Sequence, residues 1–269
     1  MRSPLENSLG PQAVVSPTVK RLTLEPTNGA NSTDSQGLGV GEIISTSAGG
    51  VANEWLIWQL ADSAFPSGGF AHSSGLEAAV QQGELRNERE LGDFIKSSLK
   101  QFGHASLPFM LAAFDSPESL TQLDRLCDCF TSNHVANRAS RLQGRALFAS
   151  AGRIFPSAGL QELGGAGSES VGHLAPTCGA ILRKLGLERI TAARLFLFFH
   201  LRGLISAAVR LGLVGPLQGQ ALHHRLAPEA EELLRSYQDL TVNEVAQTAP
   251  LLDLWQANQD CLYSRLFQS

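Results

Sequence analysis

Between Ile190 and Leu213 the chain runs through Leu195, Phe196, Leu197, Phe198, Phe199, Leu201, Leu204 and Ile205, apolar on almost every side. A helix of that kind must be enclosed, by protein or by lipid. A membrane span needs about 20 largely uncharged residues, and Arg194, His200, Arg202 and Arg210 interrupt this run. The run therefore predicts the buried central helix of a soluble domain, with no membrane partner. The rest of the chain agrees. Alternating apolar–polar runs and hairpin dipeptides are nearly absent, while apolar residues return at the helical period. The expected fold class is all-α: a single helical domain of about ten helices around one buried helix, over residues 53–269.

Local signals mark the ends of several helices. Asn53 caps a helix through Leu60 that holds Trp55, Leu56, Ile57 and Trp58. Asn87-Glu88-Arg89-Glu90 reads as a capping box opening a helix to about Phe102, with Leu91, Phe94, Ile95, Leu99 and Phe102 on one face. Ser116-Pro117-Glu118 starts another helix toward Phe130, and a further one spans Ala136 to Ser150. Pro216 opens a helix, and Pro228 opens a separate, Glu-rich one. From Pro250, the residues Leu251, Leu254, Trp255, Asn258, Leu262 and Leu266 repeat at the helical period to the end of the chain.

Composition sets the limits of the domain. The first 52 of 269 residues contain no Phe, Trp or Tyr, and half of them are Gly, Ser, Thr, Asn or Pro. Such a segment buries too little apolar area to offset its ordering entropy, so residues 1–52 are expected to be a disordered extension. The extension lacks the apolar stretch of a secretory signal. Four cysteines in a chain this long fit a reducing compartment, so the expected location is cytoplasmic.

The net charge of −4 conceals opposed blocks. Residues 53–124 carry ten acidic and four basic side chains, residues 125–225 four acidic and twelve basic, and residues 226–260 seven acidic against Arg235. Either the blocks neutralise one another between helices, or one of them faces a partner.

Catalytic and cofactor motifs are missing. There is no G-x-x-x-x-G-K-[ST], no H-E-x-x-H and no G-x-S-x-G. Cys127 and Cys129 project from a helix in different directions and, like Cys178 and Cys261, read as packing residues. Adjacent His223 and His224 cannot both aim at one tetrahedral ion. No metal site is expected from this chain alone. Two connections exceed an ordinary turn: Asp62 to Glu77, and the Gly- and Ser-rich residues 153–176 with Gly164, Gly165 and Gly167. In the first, His72 and the serines satisfy freed backbone groups, contact a partner, or, with Glu77, supply an acid and a base for a small hydrolytic enzyme. Arg138, Arg141, Arg145 and Arg153 leave an RNA-binding helical protein as a third reading, opposed by the flanking acidic blocks and the lack of aromatic platforms.

Three segments carry a family resemblance. Leu60-Ala-Asp-Ser-Ala-Phe-Pro-Ser-Gly-Gly-Phe-Ala-His-Ser-Ser-Gly-Leu-Glu77 resembles the N-terminal signature of the urease accessory protein UreF family. Ser206-Ala-Ala-Val-Arg-Leu-Gly-Leu-Val-Gly-Pro-Leu-Gln-Gly-Gln220 is similar to the motif that ends its long central helix. The terminal Tyr263-Ser-Arg-Leu-Phe-Gln-Ser269 is the third match. The chain departs from many bacterial members at Asn258-Gln259-Asp260, where they carry a His-Glu pair, and looks more like plant or algal members.

The resemblance implies an all-α protein without catalytic activity or cofactor of its own. It implies a homodimer that joins a UreD- or UreH-type accessory protein and recruits the UreG GTPase. The complex handles nickel for apo-urease and the GTPase holds the nucleotide; no nucleic acid is implied. Partner contacts are then expected at Asp62, Ser63, Pro66, Gly68, Gly69, Phe70, His72 and Glu77 of the loop, and at Arg210, Gln220, Tyr263, Arg265, Leu266 and Phe267. In this reading Leu266 and Phe267 are apolar anchors in the UreD-type partner and Arg265 a charged contact. The alternative is that the tail closes its own last helix, and that Arg210 forms an internal salt bridge.

Overall fold

The apolar run forms α8 (Arg189–Arg210), the helix around which the others are laid. The computed structural model describes residues 53–163 and 172–269, all within one unit, Ile44–Ser269. The expected N-terminal extension, and Gly164, Gly165 and Gly167, lie outside the described residues. Residues 53–61 are helical (α1). The chain continues through α2 (Leu76–Gln81), α3 (Glu88–Ala105), α4 (Leu107–Asp115), α5 (Leu120–Phe130), α6 (His134–Ile154) and α7 (Leu174–Lys184). After α8 come α9 (Pro216–Tyr237) and α10 (Pro250–Ala257). Among the described residues there is no strand.

Two apolar cores share α8. Its first half, with Ala192, Ala193, Leu195, Phe196 and Leu197, packs with α4 and α7 through Phe109, Met110, Phe114, Cys178 and Ile181. Its second half, with Leu201, Leu204, Ile205, Ala207 and Ala208, packs with α2, α3 and α9 through Leu76, Phe94, Ile95, Leu99 and Leu222. By length and composition alone α8 passes for a membrane span, yet over half of that window is buried in protein. The arginines that break the run are accommodated at its surface. Arg194 pairs with Glu231, and Arg202 donates to the Ala61 carbonyl beside the rings of Phe198 and Phe199. The closest crossing is α4 on α7. A Cβ on Gly179 would stand 1.9 Å from the Met110 carbonyl oxygen, so only glycine fits.

Asn87 caps α3 as its sequence predicts, accepting from the Glu90 amide at 3.0 Å. Glu90 reaches back one residue further than expected, to the Arg86 amide at 2.7 Å. Three expected boundaries are corrected. Pro228 does not open a helix; it sits inside the continuous α9. A proline there costs about 3 kcal/mol or more, but Leu222, Leu226, Leu233 and Leu234 are all buried on the two sides of it, each worth about 1.5–3 kcal/mol. Ser116 forms no side-chain cap; Pro117–Ser119 is a 3-10 turn before α5. The helix from Pro250 stops at Ala257, and Asn258–Cys261 is a 3-10 turn leading into an irregular tail. Cys127 and Cys178 are buried as expected, their thiols pushed up to about 12 by burial. Cys129 and Cys261 are exposed instead.

Candidate functional site

The signature loop is held at both ends before it meets anything else. Asp62 Oδ1 accepts from the Ala64 amide at 2.8 Å, and the Pro66 carbonyl accepts from Ser150 of α6 at 2.8 Å. Gly69–Ala71 makes one 3-10 turn. Ser74 and Gly75 then take φ of 53° and 84° and swing the chain into α2. Gly75 answers two demands, for a Cβ there would also stand 3.0 Å from the Gln256 amide nitrogen.

That swing buries Glu77, which is 1% exposed. A buried carboxylate is costly unless donors surround it, and here they come from the other end of the chain. Oε1 accepts from the Leu266 amide at 2.6 Å, and Oε2 from the Phe267 amide at 3.1 Å and Gln259 Nε2 at 2.6 Å. Gln81 adds a long contact at 3.5 Å. The tail then runs beside the loop. The Gln268 amide donates to the Ala71 carbonyl at 2.8 Å, the Ser73 amide to the Ser269 carbonyl at 2.5 Å, and His72 Nδ1 lies 2.5 Å from Ser269 Oγ. Burial, with the charge of Arg138 adding to it, pushes the His72 pKa down to about 4, so the ring is neutral at neutral pH.

Arg210 closes the arrangement from α8. Its guanidinium lies between two rings, 3.9 Å from the centre of Phe70 and 4.2 Å from that of Phe267, and it donates to the Phe70 carbonyl at 2.5 Å. It makes a cation–π sandwich where a salt bridge was one expectation.

The structure thus brings together Phe70, His72, Glu77, Arg210 and Phe267. Ser63, Gly68 and Gly69 line, with Phe70 and His72, a cavity of about 560 Å³ beneath the loop. Gln220 is exposed on α9 and has no hydrogen bond to loop or tail. Within the tail the side chains divide. Phe267, expected as an outward anchor, is buried in its own core at 4% exposure, and Arg265 pairs with Asp260 at 3.1 Å. Tyr263 and Leu266 point outward, 104% and 51% exposed, as does Phe70 at 67%. His72 and Glu77 share no hydrogen bond, and both carboxylate oxygens are taken by the tail, so no acid–base pair forms between them.

Two residues that the sequence marks only as part of a departure from bacterial members, with no role, turn out to be central. Gln259 is fully buried and donates to Glu77. Asp260 accepts from Arg138 at 2.8 and 3.1 Å, from His134 at 3.2 Å and from Arg265, joining the tail to α6. The Arg138 hydrogen bonds hold its carboxyl below the usual carboxylate range. Among the described residues no group of three or more His, Cys, Asp or Glu could hold a metal ion.

Comparison with known proteins supplies the family. The UreF family model matches residues 85–227. "Urease accessory protein F" of rice (Oryza sativa) is 41% identical over 219 residues, covering 79% of this chain and 84% of the rice protein. The protein of the same name from Arabidopsis thaliana is 38% identical over 222 residues, covering 80% and 92%. A UreF-like urease accessory protein of Schizosaccharomyces pombe is 31% identical over 225 residues, covering 78% and 94%. With a family match over half its length and such identity to plant proteins, this chain belongs to the urease accessory protein F family, an accessory protein rather than an enzyme.

Proposed function

We propose that this chain is a non-catalytic scaffold of urease maturation. It binds a UreD- or UreH-type accessory protein, recruits a UreG-type GTPase as a homodimer in the cytoplasm, and so couples GTP hydrolysis on that partner to nickel insertion into apo-urease. Nickel is then cargo and the nucleotide belongs to the GTPase. The observation that supports this reading is the union of loop and tail. Two of the three segments that resemble the family lie side by side around Glu77, and they leave Phe70, Tyr263 and Leu266 on the surface. Exposed apolar side chains on a fixed backbone make effective anchors, each worth about 2 kcal/mol or more once desolvated.

Truncating the tail is a poor test, because it also removes Phe267 from the core. Tyr263→Ala and Leu266→Asp leave the core alone. Co-expressed with UreD- and UreG-type partners of the same organism, the wild-type chain should co-purify with both. The double variant should be captured about tenfold less well or worse, at an unchanged melting temperature. Equal capture of the variant overturns docking through the tail, and failure of the wild type to form any complex overturns the scaffold.

A further inference from the structure

Of the twelve basic side chains between residues 125 and 225, most are engaged within the fold. Lys184 pairs with Glu162, Arg189 with Asp115, Arg194 with Glu231, Arg225 with Glu88 and Arg138 with Asp260. Arg183, Arg202 and Arg210 lie over aromatic rings. Among the described residues, Arg141 is one of the few that form neither a hydrogen bond nor an ion pair. It stands in a surface groove of about 540 Å³ along one face of α6, together with Asn137, Arg138, Leu142 and Arg145.

The groove already shows what it takes. At its rim a carboxylate of this same chain, Asp260, is seated on both terminal nitrogens of Arg138 and on His134. Arg141 lies three residues along the same helix, one turn from that pair, with Leu142 44% exposed beside it. We propose that this face of α6 docks an acidic segment of a partner protein, a carboxylate pairing with Arg141 and an apolar side chain resting on Leu142. The lining favours a peptide over a nucleic acid. It holds no lysine and no Phe, Tyr or Trp, and its one ring, that of His134, is already taken by Asp260. The surface does not use Tyr263, Leu266 or Phe70, so it stands or falls apart from docking through the tail.

The test uses the full chain and a fluorescein-labelled peptide of alternating Glu-Glu pairs and single Leu residues, followed by anisotropy at low ionic strength. Saturable binding is expected. It should weaken about tenfold in Arg141→Glu, the scale of one charge-assisted contact, and less in Leu142→Ser. Arg235→Glu, at an exposed position on α9 away from this groove, should leave it unchanged, and the melting temperature should stay the same in all three variants. The proposal is overturned by an absence of saturable binding, by equal affinity of Arg141→Glu, or by tighter binding of an oligouridylate of the same length.

Discussion

Glu77 carries a burden that its neighbours cannot share. Its two oxygens accept from two successive backbone amides of the tail and from one side-chain amide, 182 to 190 residues away in sequence. A glutamine there keeps the shape but replaces one acceptor oxygen by a donor, leaving a tail amide facing an N–H. Unsatisfied buried donors cost about 1–3 kcal/mol each. Glu77→Gln should therefore lower the unfolding free energy by about 2–3 kcal/mol in urea titration. It should also raise hydrogen exchange at Leu266 and Phe267 ahead of the rest of the molecule. Unchanged exchange at those two amides would mean that something other than Glu77 holds the tail. The sequence marks the glutamate as unusual, being an acid at the mouth of a glycine-rich loop. It cannot show that the loop meets the chain's last residues, because pairing across that separation is decided by how α2, α8 and α10 pack.

Helices were legible where one face was apolar and the cap was polar, as in α3, and illegible where tertiary packing overrode a local rule. Pro228 is a breaker by every local criterion, yet α9 passes through it because the leucines on both sides are buried. The repeat Leu251, Leu254, Leu262, Leu266 misled in the opposite sense. Leu251 and Leu254 are each 60% exposed while Leu252 is buried, and the turn after Ala257 is set by Gln259 reaching Glu77. Glycines show the same division between backbone preference and packing. Gly179→Ala drives a methyl into the Met110 carbonyl at the α4–α7 crossing, and should cost 3 kcal/mol or more, roughly the upper range for overpacking. Gly203→Ala, in the middle of α8 but with nothing within 4 Å of the new Cβ, should gain about 0.5–1 kcal/mol from reduced backbone freedom. Thermal melts of the two variants should move in opposite directions; a fall for both would mean that α8 tolerates no change beside the cavity.

At the scale of the molecule, the charge blocks visible in sequence resolve mainly into interhelical ion pairs such as Arg194–Glu231 and Arg225–Glu88, leaving their surplus on α6. Exposed pairs of this kind contribute little each, so the pH dependence of stability should be governed by buried histidines. Burial pushes both His72 and His200 from 6.5 down to about 4, His72 with help from Arg138 and His200 against its bond to Ser98. Their folded pKa lies below the unfolded one, so between pH 6.5 and about 4 the unfolded chain binds more protons. Stability is then fully present above 6.5 and drains away as pH falls through that window, by as much as about 1.4 kcal/mol per pH unit for each ring. The depressed carboxylates Asp128, Glu231 and Asp260 lose their contribution only lower, as pH falls through the carboxylate range. Urea midpoints measured from pH 7.5 to 4.5 should stay level to about 6.5 and then drop. His72→Gln and His200→Gln should each remove a large part of that drop, the rest coming from His223, which burial and the charge of Arg202 also lower; His72→Gln also removes the ring's contact with Ser269 Oγ. A flat profile in the wild type, or a drop undiminished in the double variant, would mean that these two histidines do not set the acid sensitivity.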